Sequence, residues 1–167
     1  MPELSLDKKA VLAALKLQLQ GELERAQKRA KDAAEGATHE ENRAEGDKDM
    51  RATEASYVAR GQAGRAVEME AELVRISALE LLSFKPGQRI ALSALIEVLH
   101  DGKQLHYFLV PAAGGERLKV AGAEIQTLTP QSPLGRALLG LSEGDEAELP
   151  ARQAGESARV YEIVKVR

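Results

Sequence analysis

The amino-acid sequence predicts an α+β protein: an N-terminal antiparallel α-helical coiled-coil hairpin, followed by a small antiparallel β-sheet domain with one short helix. Three observations carry this reading. Before Phe84-Lys85-Pro86-Gly87 the chain holds a single proline, Pro2, and is dense in Ala, Leu, Glu, Lys and Arg, the strong helix formers. From Pro86 onward come the other five of the six prolines, the pair Gly114-Gly115 and short β-branched runs. The spacing of apolar residues also changes there, from three-and-four to two. Proline followed by glycine terminates helices and makes hinges, so the domains are expected to be 1–85 and 86–167.

The first helix is expected from Ser5 to Glu35. Leu12, Leu15, Leu19, Leu23, Ala26, Ala30, Ala33 and Ala37 recur at intervals of three and four, the seam of an amphipathic helix close to heptad spacing. Lys16, Gln20, Glu24, Lys28 and Lys31 form the solvated face between them. Asp7 is placed to cap the start, where a carboxylate meets unbonded N–H groups and the positive end of the dipole. A second helix is expected from about Asp49 to Leu82. Two registers compete for its seam: Ala52, Ala55, Ala59, Ala63, Ala66, Met69, Leu73 and Ile76, or Met50, Tyr57, Gly64, Ala71 and Ala78. Leucines near the base and alanines toward the turn describe a thin antiparallel hairpin. Its turn carries the run Glu40-Glu41-Asn42-Arg43-Ala44-Glu45-Gly46-Asp47-Lys48-Asp49-Met50.

In the second half, residues 93–100 and 104–110 read as strands joined by Asp101-Gly102, a hairpin-turn dipeptide. Residues 124–128, 146–149 and 159–167 read as further strands. Between them, Ser132, Pro133 and Gly140 suit the N-cap, first position and C-terminal stop of a short helix.

Composition narrows the function. Net charge is −3 and the pI near 5.7, so no overall basic character marks a nucleic-acid binder. There is no cysteine, hence no disulfide or thiolate metal site. The charged N-terminus and the absence of a long apolar run lead to the expectation of a soluble, cytoplasmic, monomeric protein with no membrane partner. His39 lacks partners at metal-ligand spacing and reads as surface. His100 and His106 flank a hairpin with no Ser or Asp at triad spacing.

The C-terminal part resembles the GreA/GreB family of bacterial transcription elongation factors. Gln131-Ser-Pro-Leu-Gly-Arg-Ala-Leu-Leu-Gly140, then Gly144-Asp145, then Tyr161-Glu-Ile-Val-Lys-Val166 match that family's pattern in order, spacing and position. The resemblance implies an FKBP-like fold for the C-terminal domain and a coiled coil that enters the secondary channel of RNA polymerase. It further implies that acids at the tip help to hold a Mg2+ ion shared with the polymerase, none being bound tightly by the chain alone, and so assist cleavage of backtracked RNA. The factor would then stimulate the polymerase rather than be an enzyme itself, and would touch nascent RNA indirectly.

By this resemblance Asp47 and Asp49 are the candidate metal and catalytic acids, and Glu54 is a weaker catalytic candidate. The basic cluster Arg25, Lys28, Arg29 and Lys31 is the candidate contact to RNA or the channel, with Arg51, Arg60 and Arg65 on the other helix. Tyr57 matches a family position and reads as a packing residue. Gly46-Asp47 and Ala55-x-Tyr57 match the ends of the family's tip pattern, but about three extra residues separate them. That departure keeps open a second role, a non-cleaving regulator or inhibitor in the same channel. A helical adaptor unrelated to polymerase is a third.

Overall fold

A computed structural model describes residues 5–43 and 50–167, with the side chains of 41–43 excepted. The element order is α1 (Lys8–Arg43), α2 (Met50–Ser77), β1 (Leu95–His100), β2 (Lys103–Leu109), β3 (Arg117–Val120), β4 (Ala123–Leu128), α3 (Pro133–Leu138), β5 (Glu146–Leu149) and β6 (Arg159–Val166). The chain forms two compact units, Leu17–Val74 and Met1–Lys16 with Arg75–Arg167.

Helix α1 starts at Lys8, three residues after the expected Ser5, with Asp7 as its cap. The Asp7 carboxylate accepts from Lys9 N–H at 3.0 Å, and its carbonyl accepts from Val11 N–H at 3.0 Å. The helix runs eight residues past the expected end at Glu35. Gly36 does not stop it, and Ala37 on the next seam position is buried. Helix α2 is shorter than expected, ending at Ser77 instead of Leu82.

Within Leu17–Val74, Leu23 and Ala26 of α1 cluster with Ala66 and Met69 of α2, and Leu73 lies against them. This decides between the two registers. Ala52, Ala55, Ala59, Ala66, Met69 and Leu73 are buried or half-buried, whereas Met50, Tyr57, Gly64 and Ala71 are exposed. Ala63 departs from the chosen register; it is exposed, and Gln62 takes the half-buried place.

The other unit holds a six-stranded sheet of order β3-β4-β2-β1-β6-β5. Four of its pairings are antiparallel, as expected, but β2 and β4 run parallel, His106 opposite Ile125 and Leu109 opposite Leu128. Strand β3 was not anticipated. It is a four-residue edge strand that lets the chain return antiparallel onto β4 through Ala121-Gly122. That turn and Asp101-Gly102 are both two-residue loops with two positive φ values, 49° and 81° for the first, 49° and 71° for the second. Such mirror-image turns match the twist of the strands they join.

Alternation in β6 sends Tyr161 and Ile163 inward and leaves Val160, Glu162 and Val164 exposed. Tyr161 and Ile163 join Ile96, Val98, Tyr107, Leu109, Leu128, Leu138, Ala147 and Leu149 in one core beneath α3. The Ser132 hydroxyl caps α3, accepting from Gly135 N–H at 3.1 Å and donating to the Thr129 carbonyl at 2.7 Å. Leu139 is the C-cap, and Gly140 follows at φ 83°. Among the described residues, no buried side-chain polar atom lacks a partner.

Gly135 admits no side chain: a Cβ there would meet the Thr129 carbonyl oxygen at 2.0 Å and Ser132 Oγ at 2.7 Å. Gly135→Ala is therefore expected to lower unfolding free energy by about 1–3 kcal/mol, read as a reduced midpoint in urea. Ala121 is expected to behave oppositely. Its left-handed backbone suits asparagine better than alanine, so Ala121→Asn should raise stability by up to ~1 kcal/mol in the same assay.

Candidate functional site

The end of the hairpin lies between Arg43, where α1 stops, and Met50, where α2 starts. Asp47 and Asp49, with Glu45, fall outside the described residues. Glu40, expected at the turn, lies instead in the last turns of α1 and is half-buried. Glu54 stands exposed on the second turn of α2. Among the described residues no three His, Cys, Asp or Glu side chains gather closely enough to hold a metal.

The basic residues Arg25, Lys28, Arg29 and Lys31 are all exposed on α1. Arg25, Lys28 and Arg29 share one face by their three- and four-residue spacing, away from the Leu23–Ala26 seam. On α2, Arg51, Arg60 and Arg65 are exposed, and Arg65 lies 3.9 Å from Glu68. Tyr57, expected to pack, is 69% exposed and belongs to the outer face of α2. It falls seven residues after Met50, in the register that the seam does not use.

A second polar region lies at the first turn of α1. Lys8 Nζ donates to the carbonyls of Leu82 and, at 3.1 Å, Ser93, and lies 4.7 Å from the centre of the Phe84 ring. Burial pushes its ammonium below the ordinary lysine range. A cleft of about 680 Å³ opens beside it, walled by Asp7, Lys9, Leu81, Glu143, Lys165 and Arg167 among others. The cleft's two acids are already engaged. Asp7 caps α1, and Glu143 accepts from Val166 N–H at 2.8 Å.

The histidines are structural neighbours of the sheet. His100 stacks on Tyr161 with ring centres 4.1 Å apart, and its Nδ1 lies 2.7 Å from the Val160 carbonyl oxygen. His106 sits opposite Glu97 across β1–β2, 3.9 Å from its carboxylate, beside a small void shared with Leu6, Leu95, Lys165 and Arg167. Burial holds its imidazole below the usual histidine range; Glu97 opposes this and Arg167 reinforces it. Tyr107, Phe108 and Tyr161 are buried.

Two long helices with a short connection, followed by a six-stranded mixed sheet with one short helix, define a class: helical-hairpin factors built on an α+β C-terminal domain. Residues 85–167 match the family described as transcription elongation factor GreA/GreB, C-terminal domain. The C-terminal domain, residues 85–167, is thus of the GreA/GreB transcription elongation factor family. It is 33% identical over 106 residues to the transcription elongation factor GreA of Methylococcus capsulatus, covering 62% of this chain and 61% of that one. The match thus spans about three fifths of that relative's length. Among solved structures, GreA factor homolog 1 (Gfh1) of Thermus thermophilus aligns with 91% of this chain and 94% of its own, at 19% identity and a TM-score of 0.36. A GreA/GreB factor from Nitrosomonas europaea aligns over 60% and 78% respectively, at 23% identity and a TM-score of 0.36. No helix among the described residues is long and apolar enough to cross a membrane.

His106 generates a pH prediction. Its folded pKa lies below its unfolded value near 6.5, so between the two the unfolded chain binds more protons and stability rises with pH. The wild type is expected to lose stability as pH falls below about 6.5. His106→Gln should show a flatter loss, compared by urea denaturation at each pH.

Proposed function

We propose that this chain is a secondary-channel factor of RNA polymerase whose hairpin end assists Mg2+-dependent cleavage of backtracked RNA. The observation that carries this reading is the acid-bearing segment Gly46-Asp47-Lys48-Asp49 standing between the end of α1 and the start of α2, in a chain whose C-terminal domain is of GreA/GreB type. In this proposal residues 86–167 dock on the polymerase and residues 1–85 reach its interior, in the cytoplasm, as a single copy. Asp47 and Asp49 contribute hard carboxylate oxygens, with Glu54 a further acid one helical turn beyond Met50. Two or three carboxylates suit a site completed by another protein rather than a resident metal. The ion, when bound, supplies Lewis-acid activation of water and charge neutralisation at phosphate. Arg25, Lys28, Arg29 and Lys31 provide positive charge to guide an RNA strand or to follow an acidic channel wall.

A second reading is favoured by the extra residues between Gly46-Asp47 and Ala55-x-Tyr57, which shift Asp49 and Glu54 from the family spacing. On that reading the factor occupies the channel without promoting cleavage. One assay separates the two: backtracked elongation complexes with labelled RNA, Mg2+ and purified factor. Cleavage stimulated by the wild type and reduced roughly tenfold or more by Asp47→Ala with Asp49→Ala supports the first reading. Inhibition of RNA synthesis without added cleavage selects the second.

A further inference from the structure

Tyr57 is unusually bare for an aromatic residue in a helical hairpin. It is 69% exposed, and it makes no hydrogen bond or ring contact among the described residues. The half-buried seam residues Ala55 and Ala59 on either side of it place its ring on the face of α2 turned away from α1. Exposed apolar surface continues on both sides of it, with Met50 at 75% and Val58 at 57%. One turn further along, Gly61 is exposed with nothing within 4 Å of the place a Cβ would occupy. No side chain at that position can lie across the ring. Three residues before Tyr57 stands exposed Glu54, and three residues after it exposed Arg60. Acid, aromatic ring and cation thus follow one another along α2 at three-residue spacing, near enough to share one side.

An exposed π-face beside a guanidinium is the chemistry that receives an unpaired nucleobase, the ring stacking on the base and the cation meeting a phosphate. We infer that Tyr57 is a positioning residue that stacks an extruded base of backtracked RNA, with Arg60 on the adjoining phosphate. The stack holds the strand on the outer face of α2, beside the carboxylate end of the hairpin. This rests on the proposal that the hairpin enters the polymerase, and deepens it by assigning a base contact to a residue outside the acid cluster. The alternative, an apolar contact between Met50-Tyr57-Val58 and a protein surface of the polymerase, is an outcome of the same test.

The chain has no cysteine, so one added at the C-terminus can carry a fluorophore. Binding of labelled wild type, Tyr57→Phe and Tyr57→Leu to the cognate polymerase is followed by anisotropy on three elongation complexes. These are one not backtracked, one backtracked with intact extruded nucleotides, and one backtracked with abasic extruded nucleotides. Wild type and Tyr57→Phe are expected to prefer the intact backtracked complex over the abasic one by at least about fivefold, the lower end for one base–aromatic stack. Tyr57→Leu, which keeps apolar bulk without a π-face, is expected to bind both alike. The inference is overturned if Tyr57→Leu retains the preference. It is equally overturned if that variant weakens binding to all three complexes by the same factor, which would assign Tyr57 to the polymerase surface. Failure of the wild type to bind any complex overturns the secondary-channel proposal and the stacking with it.

Discussion

The fold of the larger unit depends on how Ser93 is held. Its backbone is left-handed at φ 71°, a conformation that costs a non-glycine residue on the order of 1 kcal/mol, and it is fully buried. Three bonds in three directions offset that strain. Its N–H donates to Leu109 at 2.8 Å, which seats the entry to β1 on the sheet. Its hydroxyl accepts from Leu82 N–H at 2.8 Å, and its carbonyl accepts from Lys8. One residue therefore joins the sheet, the segment after α2 and the first turn of α1. Lys8 completes the joint with a charged donor on two carbonyls, the strong class of hydrogen bond. Burial at this joint disfavours the ammonium and holds it below the ordinary lysine range.

The hairpin is governed by a different balance. Leucine and methionine at Leu23, Met69 and Leu73 remove more apolar surface from water than the alanines beyond them. Alanine contributes helix propensity instead, which sustains long helices with a narrow seam. The outer faces are then left to charged and small residues. A large aromatic side chain there, such as Tyr57, has no internal packing partner to account for it.

Much of this was legible because local rules and tertiary outcome coincide. The cap at Asp7, the Asp101-Gly102 turn, the Ser132-Pro133 start of α3 and the alternation in β6 each depend on chemistry within a few residues. The α1 seam was equally clear, since its large apolar residues other than Leu17 lie on one side. Helix α2 was ambiguous because alanine and glycine occur on both faces, and only its partner decides which are covered. Strand β3 was missed because four residues give two alternations, and Ala121 lacks the usual turn chemistry. The parallel β2–β4 pairing is a purely tertiary choice with no short-range signature. At the hairpin end, the acids were visible as composition. The exposure of Tyr57 was not, because it depends on which of two equally spaced registers α1 buries.

The sheet order has a consequence for how the chain emerges during synthesis. Strands β1 and β2 form a local hairpin as soon as residues 95–109 are available, but the other edge of β1 is closed only by β6, Arg159–Val166. Until then the nascent chain presents an unpaired, apolar strand edge, the feature most prone to pairing with a neighbour. The helical hairpin precedes it and relies on contacts between residues close in sequence, so it has the means to form early. A ribosome making this protein would carry a finished hairpin ahead of an unfinished sheet, and delay between β4 and β6 would lengthen the interval in which β1 is open to the wrong partner.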